Sequence, residues 1–469
     1  MKYNSNVTAD PSARQIGYFK RHQGHAVFLP FEVEINELDI DALQKSISFF
    51  VQRHDSVRTT FPLIDGQIKQ MLLSADDERF ALEFIDTTIS GQPYEEIRDG
   101  YFKDVETMLL DKAKQPLIKF FLFKLKDGRH KFIFLIDQVI SDRWSMEKIV
   151  KKELVMFYQC YLNGTEPDIA PLKVNLIDYC NQRKKWLHDN REELGNFWKA
   201  KTFNCNTAFN IGDFYNGYFF RNDERLPERI NTQKTLSQEE LFAIYDAPDA
   251  LVYTIKISGQ RFAKIKELVK INNCSTSTII YASLYMLLYC YAGKNKALLK
   301  GLIADRFTSE TKLIIGNLIG EAYFSAGISD NLVLSEIIQE TFFEILTNCQ
   351  NMIIDHDYLD LDGPTFRACC DISVNYIQFI GSAPELSEII GKHVVTEGIF
   401  YPIFKVIHEF DDGFVLYWKY NKHLFHEELI EDMVKCYNGI LDFVAENDDR
   451  TIKDLKNHLK QKTTPAILV

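Results

Sequence analysis

No two of the nine cysteines are spaced as CxxC, and their number is odd, which argues against both a disulfide framework and a cysteine-rich zinc site. His22, His25, His356, His408, His423 and His426 are scattered, without HExxH or other metal-ligand spacing, so metal binding has no motif behind it. GxGxxG, a P-loop and GxSxG are all missing, which leaves nucleotide binding and the common serine-hydrolase arrangement without sequence support. Basic residues are outnumbered, 54 Lys and Arg against 66 Asp and Glu. A net charge of −12 and a pI near 5.5 argue against broad nucleic-acid binding, which needs a positive footprint. The start, MKYNSNVTADPSAR, has no apolar stretch behind a basic one, so no secretory signal is read and a cytosolic location is expected. The most apolar run, Ile279 to Ala292, is short for a bilayer and carries a serine and four tyrosines, which makes it a core helix rather than a membrane span.

What is present is an ordinary globular composition, 46% hydrophobic and 26% charged, over 469 residues. That length exceeds what one core usually serves, so two domains are expected, 1–174 and 175–469, with 202–250, rich in Asn, Asp and Glu, as a loop or linker. Strand and helix patterns alternate. Phe28 to Ile35 reads as a strand, and Asp41 to Val51 as a helix with Leu43, Ile47, Phe50 and Val51 on one face. Ile118 to Leu125 and Lys131 to Ile136 flank Asp127-Gly128, the turn chemistry of an antiparallel hairpin. Met146 to Leu162 repeats apolar residues at helical spacing, at Ile149, Val150, Leu154, Phe157, Tyr158 and Tyr161. A charged helix pair follows from Asn175. Further on come a strand at Leu251 to Ile257 and a helix with Phe262, Ile265, Leu268 and Val269 inward. The last strand is Phe414 to Tyr420, and the last long helix is His426 to Asn447.

The segment Asp137 to Ser145, DQVISDRWS, falls between the hairpin's second strand and the helix behind it, a platform that displays side chains at an element end. It has the shape of the acyl-transfer motif HHxxxDG without the histidines and the glycine. Arg53 to Phe61, RHDSVRTTF, is similar to RHExLRTxF. Lys300 to Arg306, KGLIADR, is similar to a strand ending in Asn-Arg, and Ile315 to Phe324 to a weakened IGxFVNTLPLR. Val374 to Tyr376 and the terminal DDGFVLYWKYNKHLF complete the order. By these segments the chain resembles the condensation domains of nonribosomal peptide synthetases, in the chloramphenicol acetyltransferase-like superfamily, over nearly its whole length. The resemblance implies an α/β fold of two acetyltransferase-like lobes in a V-shaped pseudo-dimer with a central tunnel. It also implies carrier proteins that deliver phosphopantetheine-tethered thioesters, and no bound cofactor.

In that family the second histidine is placed to handle the amine's proton or to orient the attacking group; Gln138 stands there. An amide has no useful basicity near neutral pH, so general-base help of about 10²–10⁴-fold is expected to be missing, and what remains is orientation of an already deprotonated amine. Asp137 holds the first histidine's place. It is either a base, if burial raises its pKa, or a carboxylate bonded to its own loop, and strand alternation sets 137 and 138 on opposite sides. Asp142 is implied to be structural and to need a buried arginine, with Arg306 favoured over Arg58. Arg143 replaces the glycine; it could fill the tunnel, pair with Asp137 or Asp142, bind an anion, or lie exposed. Trp144 and Ser145 continue the motif, and His54 is expected to be a packed structural histidine.

Two functions follow. One is a condensation-like protein of a peptide natural-product pathway, without standard chemistry, that binds a carrier protein, a peptidyl substrate or a tailoring enzyme. Its carrier-docking surface would be basic, with Lys20-Arg21 and Lys151-Lys152 as candidates. The other is an active acyltransferase or amide-forming enzyme with a rearranged site that uses Asp137, Ser145 or His408.

Overall fold

The computed structural model describes residues 8–22, 27–108, 111–203, 250–292, 295–352, 372–379, 381–383, 389–395, 403–422, 425, 427–446 and 449–462. The expected linker beyond residue 203, Cys205, Cys369, Cys370, His25, His356, His423, His426 and the side chains of Lys20 and Arg21 lie outside the described residues. The fold is mixed α/β. It divides into two compact units, one of residues 1–190 with 304–319, the other of 191–303 with 320–469.

The first unit is built on a four-stranded sheet. Its order is Phe28–Ile35, His130–Asp137, Ile118–Lys124 and Glu83–Asp86, antiparallel except for the last pair. The hairpin pairs Ile118 with Ile136 and Lys124 with His130. Gly128 in its turn has φ +86°, a conformation that costs glycine nothing and other residues a clash. Phe120, Phe121, Phe123, Phe132 and Phe134 are buried, so the apolar runs of the sequence are central strands covered on both faces. Helix Ile40–Arg53 lays Leu43, Ile47, Phe50 and Val51 on this core, capped at its start by Asp39, which accepts from Ala42 N. Ile315, from the returning segment 304–319, is buried in the same core.

The expected single helix behind the motif is in fact two. Ser145–Val150 forms a π turn and Lys151–Leu162 an α-helix. The wide turn seats Ser145 against the polar groups described below and still leaves Ile149 and Val150 in the core.

The second unit holds a seven-stranded sheet in the order Ile319–Gly327, Lys296–Ala304, Ile372–Gln378, Ile403–Glu409, Gly413–Tyr420, Ala250–Ser258, Ile389–Val395. The expected apolar helix is Thr276–Ala292, with Ile279 through Leu288 buried, and Glu427–Glu446 buries Leu429, Ile430, Met433, Val434, Tyr437, Ile440 and Leu441. Among the described residues no helix is long and apolar enough to cross a membrane.

Candidate functional site

The strand His130–Asp137 ends where its hydrogen bonding to neighbours changes from ladder to loop. Asp137 N donates to Leu117 O at 2.9 Å, and Gln138 N to Val27 O at 2.8 Å. Beyond this point Val139 N folds back onto Asp137 Oδ1 at 2.8 Å, the loop bond expected for that carboxylate. Its second oxygen meets Lys112 Nζ at 2.5 Å. Asp137 is fully buried and Lys112 nearly so. Burial pushes the Asp137 carboxyl up, while Lys112, the Val139 amide and the Tyr18 hydroxyl pull the other way. Tyr18 in turn accepts from Val27 N at 3.0 Å. Burial and the Asp137 charge push its phenol up, so it remains a neutral donor. A raised carboxyl suits a base, but this one has no oxygen free of partners and no exposed surface.

Asp142 is the hub of a second buried network. Arg306 Nη2 lies 3.0 Å from both of its oxygens. Ser145 N donates to Oδ1 at 2.7 Å and Leu318 N to Oδ2 at 3.2 Å. On the other side of the guanidinium, Nη1 donates to Thr311 O at 2.8 Å and Ile314 O at 2.6 Å, while Nε is buried without a hydrogen-bond partner. Of the two candidate partners Arg306 is the one found; Arg58 instead donates to Val51 O at 3.1 Å and Leu73 O at 2.9 Å. Ser145 is absorbed by the same network. Its hydroxyl donates to Asp142 Oδ1 at 2.8 Å and accepts from Gly316 N at 3.1 Å and Arg306 Nη2 at 2.9 Å. A hydroxyl with its proton and both lone pairs engaged is a brace, not a nucleophile. A Cβ on Gly316 would meet Leu318 Cδ1 at 2.5 Å and Leu176 Cδ1 at 2.7 Å, so a larger residue there would have to displace both leucine side chains.

The remaining motif residues are less buried. Gln138 sits in the turn, half-buried, and its side-chain amide makes no hydrogen bond to a described residue; its carbonyl accepts from Asn317 Nδ2 at 3.0 Å. Arg143 is half-exposed and reaches Glu147 at 3.7 Å, while Glu147 also binds Lys151 at 2.8 Å. Trp144 Nε1 donates to Lys312 O at 3.3 Å, and the Arg306 guanidinium lies 6.0 Å from its ring centre. His54 is buried with Nε2 2.6 Å from Glu153 Oε2, and burial pushes its pKa down, in keeping with a structural histidine. His408 belongs to the second unit, where its ring packs against Phe379 at 4.7 Å and Tyr417 at 4.9 Å.

Lys112 and Tyr18 escaped the sequence reading, and Gly316 and Asn317 entered it only as part of the segment Ile315 to Phe324, without a role of their own. For Lys112 one signal existed: an aspartate written at the end of an all-apolar strand needs a cation from somewhere. Nothing local says which.

Residues 19–209 match the family model described as Condensation domain. A linear gramicidin synthase of Brevibacillus parabrevis is 25% identical over 445 residues, which cover 90% of this chain and 8% of that one. The chain therefore spans a small part of the curated relatives it matches. Among solved structures, the first condensation domain of the calcium-dependent antibiotic synthetase with a substrate analogue has a TM-score of 0.66 at 14% identity, covering 96% of this chain and 99% of that one. The complex of the X-domain and OxyB from teicoplanin biosynthesis has a TM-score of 0.64 at 17% identity, covering 97% of each. At such identities the structures establish a shared fold.

Proposed function

We propose that this chain, whose family match, relatives and fold support a nonribosomal peptide synthetase condensation domain of the chloramphenicol acetyltransferase-like fold, holds or recruits rather than condenses. Its guest would be a carrier-tethered or peptidyl substrate, or a tailoring enzyme, in peptide natural-product biosynthesis. One observation carries this reading: both motif side chains able to stand in for the missing base are already consumed. Asp137 is locked by Lys112 and Val139, and Ser145 by Asp142, Arg306 and Gly316. Gln138 keeps a half-exposed amide that can bind but cannot take up a proton at neutral pH. The X-domain complex with OxyB supplies a precedent within the fold for binding a partner protein.

Incubation with acyl-carrier thioesters and amine acceptors, read by intact mass, tests the reading. The expected result is carrier or partner binding with no acyl transfer above the protein-free rate. Transfer that is abolished by Gln138→Ala or Asp137→Ala would establish the competing reading, an acyltransferase with a rearranged site.

A further inference from the structure

The sheet of the first unit has one long edge, the eight-residue strand Phe28–Ile35, which pairs only with His130–Asp137. Gln138 N donates to Val27 O while Asp137 N donates to Leu117 O, so successive residues of that inner strand bond alternately to one neighbour and the other. In Phe28–Ile35 the odd-numbered residues therefore carry the ladder, and Phe28, Pro30, Glu32 and Glu34 turn their backbone groups outward. Among the described residues these groups have no hydrogen-bond partner. Pro30 fits that geometry, since proline is tolerated in a strand where its missing N–H would face away from the sheet. Glu32 and Glu34 each keep an N–H and a C=O open to solvent, and Val33 between them is exposed.

Two other edges are closed or short. In the second unit Ser325 N and Gly327 N, on the edge strand Ile319–Gly327, are taken by Glu344 Oε1 and Glu340 Oε1, each at 2.8 Å. The opposite edge of the first sheet, Glu83–Asp86, is four residues long. An open edge is a template for another strand, which proteins usually guard.

The surroundings of this edge are acidic. Residues 32–41, EVEINELDID, hold five acids and no base. Lys131 meets Glu32 at 2.6 Å and Arg129 meets Glu34, whereas Glu37 and Asp41 have no ion pair among the described residues. Beside Glu34 a cavity of about 410 Å³ opens between Tyr94, Glu95, Leu125 and Arg129. Glu95 likewise has no ion pair among the described residues. Directly opposite residues of paired strands share a face, so a side chain set against Glu34 would lie on the cavity side.

We propose that Glu32 and Glu34 add an extended, lysine- or arginine-bearing segment of a partner protein as a further strand, with one of its basic side chains in the cavity beside Glu34. The backbone ladder holds the segment, and the carboxylates select the sign of its side chains. A second copy of this chain is the wrong occupant, because edge-to-edge pairing would set Glu32 and Glu34 against the same acids of the copy. Glu34 pairs with Lys131, at the far end of His130–Asp137 from the motif turn, so the surface is independent of what Gln138 does.

The probe is fluorescein-labelled acetyl-Lys-Val-Lys-Val-Lys-Val amide, read by fluorescence anisotropy against the whole chain. Wild type is expected to bind it, and to bind the counterpart with glutamate in place of lysine about tenfold more weakly. Glu32→Gln removes a charge and keeps the N–H, whereas Glu32→Pro removes both without touching the ladder to His130–Asp137. The proline variant is therefore expected to bind the probe about tenfold more weakly than the glutamine variant. Should Glu32→Pro fail to fold, two probes N-methylated on alternate residues replace it; one of them is expected to lose binding, and retention by both overturns the proposal. No anisotropy change with wild type up to about 1 mM, equal affinity for the lysine and glutamate probes, or equal binding by the two variants overturns it as well. So does a concentration-dependent dimer of the chain that Glu32→Pro abolishes, which would make the second copy the occupant.

Discussion

Arg306 Nη2 lies 3.0 Å from each oxygen of Asp142, although 164 residues separate them in the chain, and the side chains of both are 2% exposed. The pair joins the motif loop to the returning segment 304–319, and each member would be a buried, uncompensated charge without the other. Arg306→Met or Asp142→Leu alone is therefore expected to cost about 3–5 kcal/mol in urea denaturation, and the double variant to recover a large share of the loss. If the double variant is as unstable as the sum of the singles, the two side chains act independently.

The Lys112 and Asp137 pair makes the same kind of demand on the strand end. Lys112→Met leaves the Asp137 carboxylate in the core with only the Val139 amide and Tyr18 for support. A loss of several kcal/mol is expected, partly reversed by adding Asp137→Asn. Thermal midpoints of the two singles and the double would show it; a neutral Lys112→Met would mean that the pair is dispensable.

Asp55 should make the first unit pH-sensitive. Burial raises its pKa to about 6, against the pull of the Leu176 amide and Arg58 and with a push from Asp178, and its Oδ2 has no hydrogen-bond partner. Because the folded pKa lies above the unfolded value, the stability linked to Asp55 is fully present below pH 4 and is lost as pH rises through 6. Relative to Asp55→Asn, wild type is expected to lose about 3 kcal/mol between pH 3.5 and 7.5, at about 1.4 kcal/mol per pKa unit. A difference between the two proteins that does not change with pH would refute the assignment.

Lys405 presents the opposite sign in the second unit. It is fully buried, its Nζ has no hydrogen-bond partner, and it packs 4.0 Å from the Trp418 ring centre and 4.6 Å from that of Tyr437. Burial drives its pKa well below the usual lysine value. A base whose folded pKa is depressed adds stability above its unfolded pKa and loses it as pH falls toward the folded one. Lys405→Met is thus expected to raise the melting temperature at pH 7, with an advantage that shrinks toward pH 10. A variant that melts lower at pH 7 would show that the ammonium is well accommodated by its two rings.

The elements were legible because their signals are local. Apolar runs and turn chemistry placed Phe28–Ile35 and the hairpin around Gly128, and helical spacing placed Ile40–Arg53 and Glu427–Glu446. The need of Asp142 for a buried arginine was also legible, because desolvating a carboxylate is costly wherever it happens. The partner of Asp137 was not. Lys112 lies 25 residues upstream, in a stretch whose spacing says nothing about that strand end.

By itself, then, the sequence determined the strands, the helices and the place of Asp137 to Ser145 at a strand end, since each of these follows from residue type and short-range spacing. Only the tertiary structure decided what the other motif residues do. It brings Lys112, Tyr18 and the segment 304–319 to the end of one strand, so that Asp137 and Ser145 become supports. The reason is physical: a buried polar group takes its character from which partners reach it, and those partners are fixed by the packing of distant segments.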